Sequence, residues 1–179
     1  MNLKTYTNGI RRGIPVGVGY FSVSIGLGAM EAAQGIRALD ATLISMTNLT
    51  SAGQFAGLGI ILAAGSYWEM AMTQLIINLR YSLMSFSLSQ KLEKGINPFH
   101  RFVVAFGMTD EIFAVSASQP GKVSPYYNYG AMSVAIPGWI LGTLAGAILG
   151  NVLPGSVTNA LSVAIYGMFI AIVVPECKV

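Results

Sequence analysis

The chain has 179 residues, 54% of them hydrophobic and 9% charged, with a mean hydropathy of +0.63 and a formal net charge of +3. Soluble domains carry about 25% charged residues, so so few charges cannot coat a water-soluble enzyme. The thin positive charge forms no basic stripe for nucleic acid, and the hydrophobicity excludes intrinsic disorder.

What remains is an all-α, polytopic membrane bundle occupying residues 1–179 as one transmembrane domain. A spanning helix needs about 20 mostly apolar residues. Six such stretches are expected, at about 13–33, 41–64, 67–90, 99–118, 129–150 and 157–175. The connections carry Gly95 and Asn97-Pro98, then Pro120-Gly121, then Pro154-Gly155, dipeptides and residues that mark turns. Cys177 and His100 are each the only residue of their type. No disulfide within the chain, metal site or cofactor is therefore expected.

Positive charge sets a topological puzzle. Lys4, Arg11 and Arg12 at the start and Lys91, Lys94 and Arg101 after the third stretch should both be cytoplasmic. Three full crossings would separate them. The second stretch is the weakest helix, with Thr47-Asn48, Thr50-Ser51 and several glycines. A re-entrant second stretch leaves Arg37, Lys122 and Lys178 outside and the N-terminus in the cytoplasm. The competing reading is a kinked but complete helix, because Gly, Ser and Thr are common in membrane helices. Pro15, Pro137 and the Gly-rich second stretch are the expected break points.

Charges within apolar stretches are expensive and face a cavity or a partner. Asp40 and Glu69 lie near stretch ends and read as solvated. Arg80, Asp110 and Glu111 lie deeper. Arg80 is fifteen positions before Gly95 and Asp110 fifteen after it. Two antiparallel helices joined there would hold them at similar depth. Such a pair either neutralises charge or forms a substrate or proton site.

The third stretch also places Gln74, Asn78, Tyr81, Ser82, Ser85 and Ser89 on one arc, with Glu69, Thr73, Arg80 and Ser87 nearly opposite. Two polar stripes predict a central helix, its stripe serving as interhelical glue or as a wetted path. Gly138, Gly142, Gly146 and Gly150, like Gly9, Gly13 and Gly17, recur every four residues and predict close helix packing. No nucleotide loop, serine elbow or paired deep aspartates are present, so no enzymatic activity is expected. The Asn48-Leu49-Thr50 sequon sits in an apolar stretch and is discounted.

These motifs together resemble the AzlC family of branched-chain amino acid exporters. The likeness is carried by Gly13-Ile14-Pro15, by Ser51-Ala-Gly-Gln-Phe-Ala-Gly57, by Asn78-Leu79-Arg80-Tyr81 and by Thr109-Asp110-Glu111. Tyr81 stands where the family commonly has histidine. The family is usually longer, so the resemblance implies a C-terminally shortened chain. It also implies a permease in the bacterial or archaeal inner membrane, an amino acid substrate and a small AzlD-like membrane subunit as partner. On that basis Gly53, Gln54, Asn78 and Arg80 are the expected substrate-binding residues. Asp110 and Glu111 are the expected ion-pair or proton-coupling residues. A passive small-solute channel and a non-transporting membrane scaffold are the other readings of the same residues.

Overall fold

A bilayer offers the backbone no hydrogen-bonding water, so apolar runs must become helices. The computed structural model describes residues 3–150, and among these it is all-helical apart from one isolated β-bridge, Leu92 with Val123. The helices are α1 (Leu3–Ala33), α2 (Ala38–Thr47), α3 (Ser51–Leu62), α4 (Tyr67–Lys91), α5 (Pro98–Phe106), α6 (Asp110–Ala117) and α7 (Pro125–Leu149). The sixth expected stretch and Cys177 lie outside the described residues. Two helices, α1 and α7, are long and apolar enough to cross a membrane. Helix α4 is 25 residues long, but Gln74, Asn78, Arg80 and its serines dilute its hydropathy.

Helix breaks fall where side chains cap them. The second stretch is two helices, separated at residues 48–50. Thr50 caps α3, its hydroxyl accepting from the Gly53 N–H at 3.2 Å. The fourth stretch is not the single helix expected. It is broken at residues 107–109, where Thr109 caps α6 by accepting from the Ile112 N–H at 3.3 Å. The prolines behave differently from expectation. Pro15 and Pro137 lie inside continuous helices. Both side chains are exposed, and Pro15 is 200° around α1 from both Gly13 and Gly17 by helical geometry. The ring therefore sits away from the packed face.

The chain divides into two compact units, one of residues 1–18 and 48–137, the other of 19–47 with 138 onward. In the first unit the α5–α6 pair doubles back. Helix α5 starts beside the C-terminal end of α4, and α6 returns there. The Glu93 N–H donates to Val123 O (3.1 Å), the Val123 N–H to Lys91 O (2.9 Å) and Lys122 Nζ to Gln90 O (2.8 Å). Lys91 Nζ also donates to Ala117 O. Gly95 and Gly121 adopt positive φ (78° and 72°) in the two loops at this end, a conformation that favours glycine. Thus the fourth stretch enters and leaves on one side. Lys122, expected on the opposite side from Lys91, lies beside it.

The start of α1 packs along the start of α7 in the same unit. A β-carbon at Gly13 would lie 2.8 Å from Ala131 Cα, and one at Gly17 2.9 Å from Val134 O. Gly9 meets Tyr127 and Gly130. The contacts climb both helices together, so the two run parallel. In the second unit a β-carbon at Gly146 would lie 2.9 Å from Ile25 Cα and one at Gly150 2.8 Å from Ala29 Cα. Gly142 meets Phe21 and Ser24, while Gly28 meets Thr143 and Ala147. Gly138, one turn earlier on the α7 row, is half-buried. Ser24, Glu31, Ser45 and Thr143 are fully buried in this unit, with Ser45 Oγ donating to Thr143 Oγ1 at 2.9 Å.

The Gly rows admit no side chain. We expect Gly13→Leu to lower stability by about 2 kcal/mol or more through overpacking. Gly19→Leu, where nothing lies within 4 Å of a new β-carbon, should change it by less than about 0.5 kcal/mol. Thermal unfolding of the purified protein in detergent measures both, and equal losses would contradict the packing assignment.

Candidate functional site

The first unit brings the N-termini of α3 and α6 to the middle of α4. Helix α3 runs antiparallel to α4, so Thr50 lies deep beside Tyr81 and Gly65 lies beside Glu69 at the helix start. Helix α6 runs parallel to α4, from Asp110 beside Arg80 to Ala117 beside Lys91.

Arg80, near the centre of α4, forms an ion pair with Asp110. Its Nη1 lies 2.9 Å from Asp110 Oδ2. Its Nη2 donates to Tyr81 Oη at 3.1 Å, and the guanidinium carbon lies 4.9 Å from the centroid of the Tyr81 ring. The side chains of Arg80 and Asp110 are 36% and 24% exposed, so the pair is held in place without being sealed. Asp110 and Glu111 occupy the first turn of α6, where the positive end of the helix dipole favours carboxylates.

On the α3 side a chain of amides links the helices. Gln74 Nε2 donates to Gly53 O at 2.7 Å, and Asn78 Nδ2 donates to Gln74 Oε1 at 3.2 Å. Asn78 Oδ1 is buried with no hydrogen-bond partner, so it can accept from a bound donor. Gln54 is buried, at 1% exposure. The close approach at Gly53 is required, since a β-carbon there would lie 2.6 Å from Gln74 Oε1.

Several expected residues therefore converge: Gly53, Asn78, Arg80 and Asp110 sit on adjoining helix ends and faces. Glu111 stands beside Asp110 in the first turn of α6. The packing glycines Gly142, Gly146 and Gly150 lie in the second unit with half-buried Gly138. Glu69 is exposed in the first turn of α4, capped by Ser66 (Glu69 N–H to Oγ, 3.1 Å). Asp40 pairs with Arg37 at 2.7 Å, and the hydrogen bonds from Arg37 hold its carboxyl below the ordinary carboxylate range.

The expected central position of α4 is corrected by the structure. Leu88 is its one buried residue. Leu75, Ile76, Leu79, Leu83 and Phe86 form an exposed apolar face. Gln74, Asn78 and Tyr81 of the polar arc face α3, Ser85 and Ser89 line a cavity with α5, and Arg80 faces α6.

Three features escaped the sequence reading. Thr50 and Thr109 were legible as Ser/Thr caps preceding helical runs. Gln74 appeared only as part of a stripe, and nothing in its spacing singled out Gly53 as its acceptor. Glu31, fully buried in the second unit, is one turn from the end of an apolar stretch and resembles a solvated terminus. Among the described residues no cluster of His, Cys, Asp and Glu could hold a metal.

The comparisons follow this geometry. Residues 15–153 match the family described as AzlC protein. The chain is 29% identical over 177 residues to a protein of Archaeoglobus fulgidus named as an uncharacterized membrane protein, covering 97% of this chain and 76% of that one. It is 24% identical over 151 residues to the inner membrane protein YgaZ of Escherichia coli K12, covering 82% of this chain and 62% of that one. No solved structure matches.

The ion pair is testable apart from any activity. A double-mutant cycle of Arg80→Gln and Asp110→Asn, read by thermal unfolding, should give a coupling of about 1 kcal/mol, modest because both groups are partly exposed. Additive losses would show that the two charges do not support each other.

Proposed function

The chain belongs to the AzlC family of membrane proteins, and from that premise we propose that it is a subunit of a secondary transporter exporting branched-chain or other small apolar amino acids across the cytoplasmic membrane. The observation that carries this reading is the Arg80–Asp110 pair at the middle of α4, flanked by two helix N-termini. An amino acid is a zwitterion, and its site must offer one centre of each sign. Arg80, with the N–H groups around Gly53 and Gln54, binds the carboxylate. Asp110, with Glu111 beside it, binds the ammonium or exchanges a proton. Asn78 Oδ1 accepts from the ammonium. Broken helices with N-termini at mid-membrane are a general way to bind an anionic group there.

The topology we assign has the N-terminus in the cytoplasm. Lys4, Arg11, Arg12, Lys91, Lys94, Arg101 and Lys122 then share that side. Helix α4 runs antiparallel to the start of α1 within the first unit. If both span the bilayer, the second stretch starts and finishes on the outer side, as a re-entrant segment does. A small AzlD-like subunit completes the transporter. We assign the exposed apolar face of α4 to lipid and to that subunit.

Leucine and valine efflux from preloaded cells lacking their own exporters, with and without the small subunit, tests the reading. Arg80→Ala should lower efflux about 10- to 100-fold, the range of a lost charge-assisted hydrogen bond. Asp110→Asn should remove any dependence on a pH gradient. Efflux that never exceeds equilibration would identify a passive channel. No efflux from protein confirmed in the membrane, in either setting, would sink the transporter reading.

A further inference from the structure

We propose that the N-terminal end of α1 and the α6–α7 loop form a binding site for the headgroup of an anionic phospholipid. A cavity of about 850 Å³ lies between them, within the first unit. Three cations line it: Lys4 and Arg11, about two turns apart on α1, and Lys122 from the loop. No Asp or Glu is among its lining residues. Among the described residues Arg37 pairs with Asp40 and Arg80 with Asp110, and none of the three cations pairs with a described carboxylate. Lys122 uses one of its three donors on Gln90 O, which anchors the ammonium and leaves two.

The remaining lining distinguishes a lipid from a free anion. Asn8 adds an amide donor beside the cations, while Leu3 and Pro120 supply apolar surface next to them. Leu3 is 65% exposed at the start of the helix. A soluble phosphate has no use for that surface, whereas a phospholipid places its phosphate on the cations and its first acyl carbons on the apolar edge. Basic pockets between membrane helices on the cytoplasmic side commonly hold anionic headgroups in this manner. A second cavity of about 580 Å³, lined by Asn8, Arg11, Arg12 and Pro15, continues the cationic surface along α1. The site is separate from the Arg80–Asp110 pair and does not depend on the substrate.

The test is native mass spectrometry of the purified chain in mixed micelles holding equal phosphatidylglycerol and phosphatidylcholine, with a thermal unfolding series beside it. The bound ratio should favour phosphatidylglycerol at least about fivefold. Arg11→Gln and Lys122→Gln should each lower that ratio about fivefold, the effect of one cation near an anionic surface. Both side chains are exposed, so the variants should fold, and unchanged circular dichroism checks this. Lys94→Gln with Arg101→Gln, which do not line the cavity, should leave the ratio unchanged. Three results would each overturn the proposal: pocket variants that keep the ratio, control variants that lower it equally, or inorganic phosphate that stabilises the protein as much as phosphatidylglycerol does.

Discussion

A guanidinium at the middle of a long helix is the constraint from which the first unit follows. Arg80 sits near the centre of α4, far from either end, and cannot reach interfacial water by extending along its own helix. It needs an opposite charge at the same depth. Asp110 provides that charge only because α5 stops at Phe106 and α6 begins anew at Asp110. The turn at 107–109 places a helix start, capped by Thr109 and favouring carboxylates in its first turn, beside the arginine. Once α5 and α6 double back, the loops on either side of them must lie at the same end of α4. That is where the Leu92–Val123 bridge forms, and α7 then sets off in the direction taken by α1.

This route explains why part of the site was legible and part was not. The Arg80–Asp110 pairing followed from equal spacing about Gly95, on the assumption of two continuous antiparallel helices. The pairing is present, but α6 runs parallel to α4 and α5 takes the antiparallel place. Equal depth survives because α5 alone reaches from the loop end of α4 to the level of Arg80, so Asp110, at the turn where α6 starts back, lies near where the simple hairpin would have placed it. Gly107-Met108-Thr109 carries no proline and no charge, so hydropathy could not reveal the break. The cap could have, since Thr109 precedes an acidic first turn. The charge puzzle was real: Lys4 and Lys91 do lie at one end of the unit. The fourth stretch, which leaves from and returns to that end, brings Lys122 there as well.

The prolines and the polar stripes failed for a shared reason. Both were judged by residue type along one helix, without the neighbour that decides the outcome. Pro15 is tolerated because its face is open while Gly13 and Gly17 hold the opposite face against α7. Among the described residues, Gln74 and Tyr81 of α4 meet α3 and Arg80 meets α6. The arc through Leu75, Leu79, Leu83 and Phe86 is as wide as either polar stripe and faces away from both. Counting polar residues measured how many partners α4 needs, and left open whether the chain surrounds it.

The two kinds of contact also differ in what they permit. Along α1 and α7, glycine brings backbone against backbone, and any displacement meets main-chain atoms that cannot adjust. Around Arg80 the contacts are side-chain hydrogen bonds to helix ends. They can exchange partners for a ligand at small net cost, since each bond broken is replaced by one of similar strength. Enclosing an ion pair strengthens its Coulomb attraction but costs the desolvation of both charges. Arg80 and Asp110 remain 36% and 24% exposed, and beside them Asn78 Oδ1 keeps an unused acceptor. The first unit thus joins a closely packed pair of helices to a polar centre that side chains hold at helix ends.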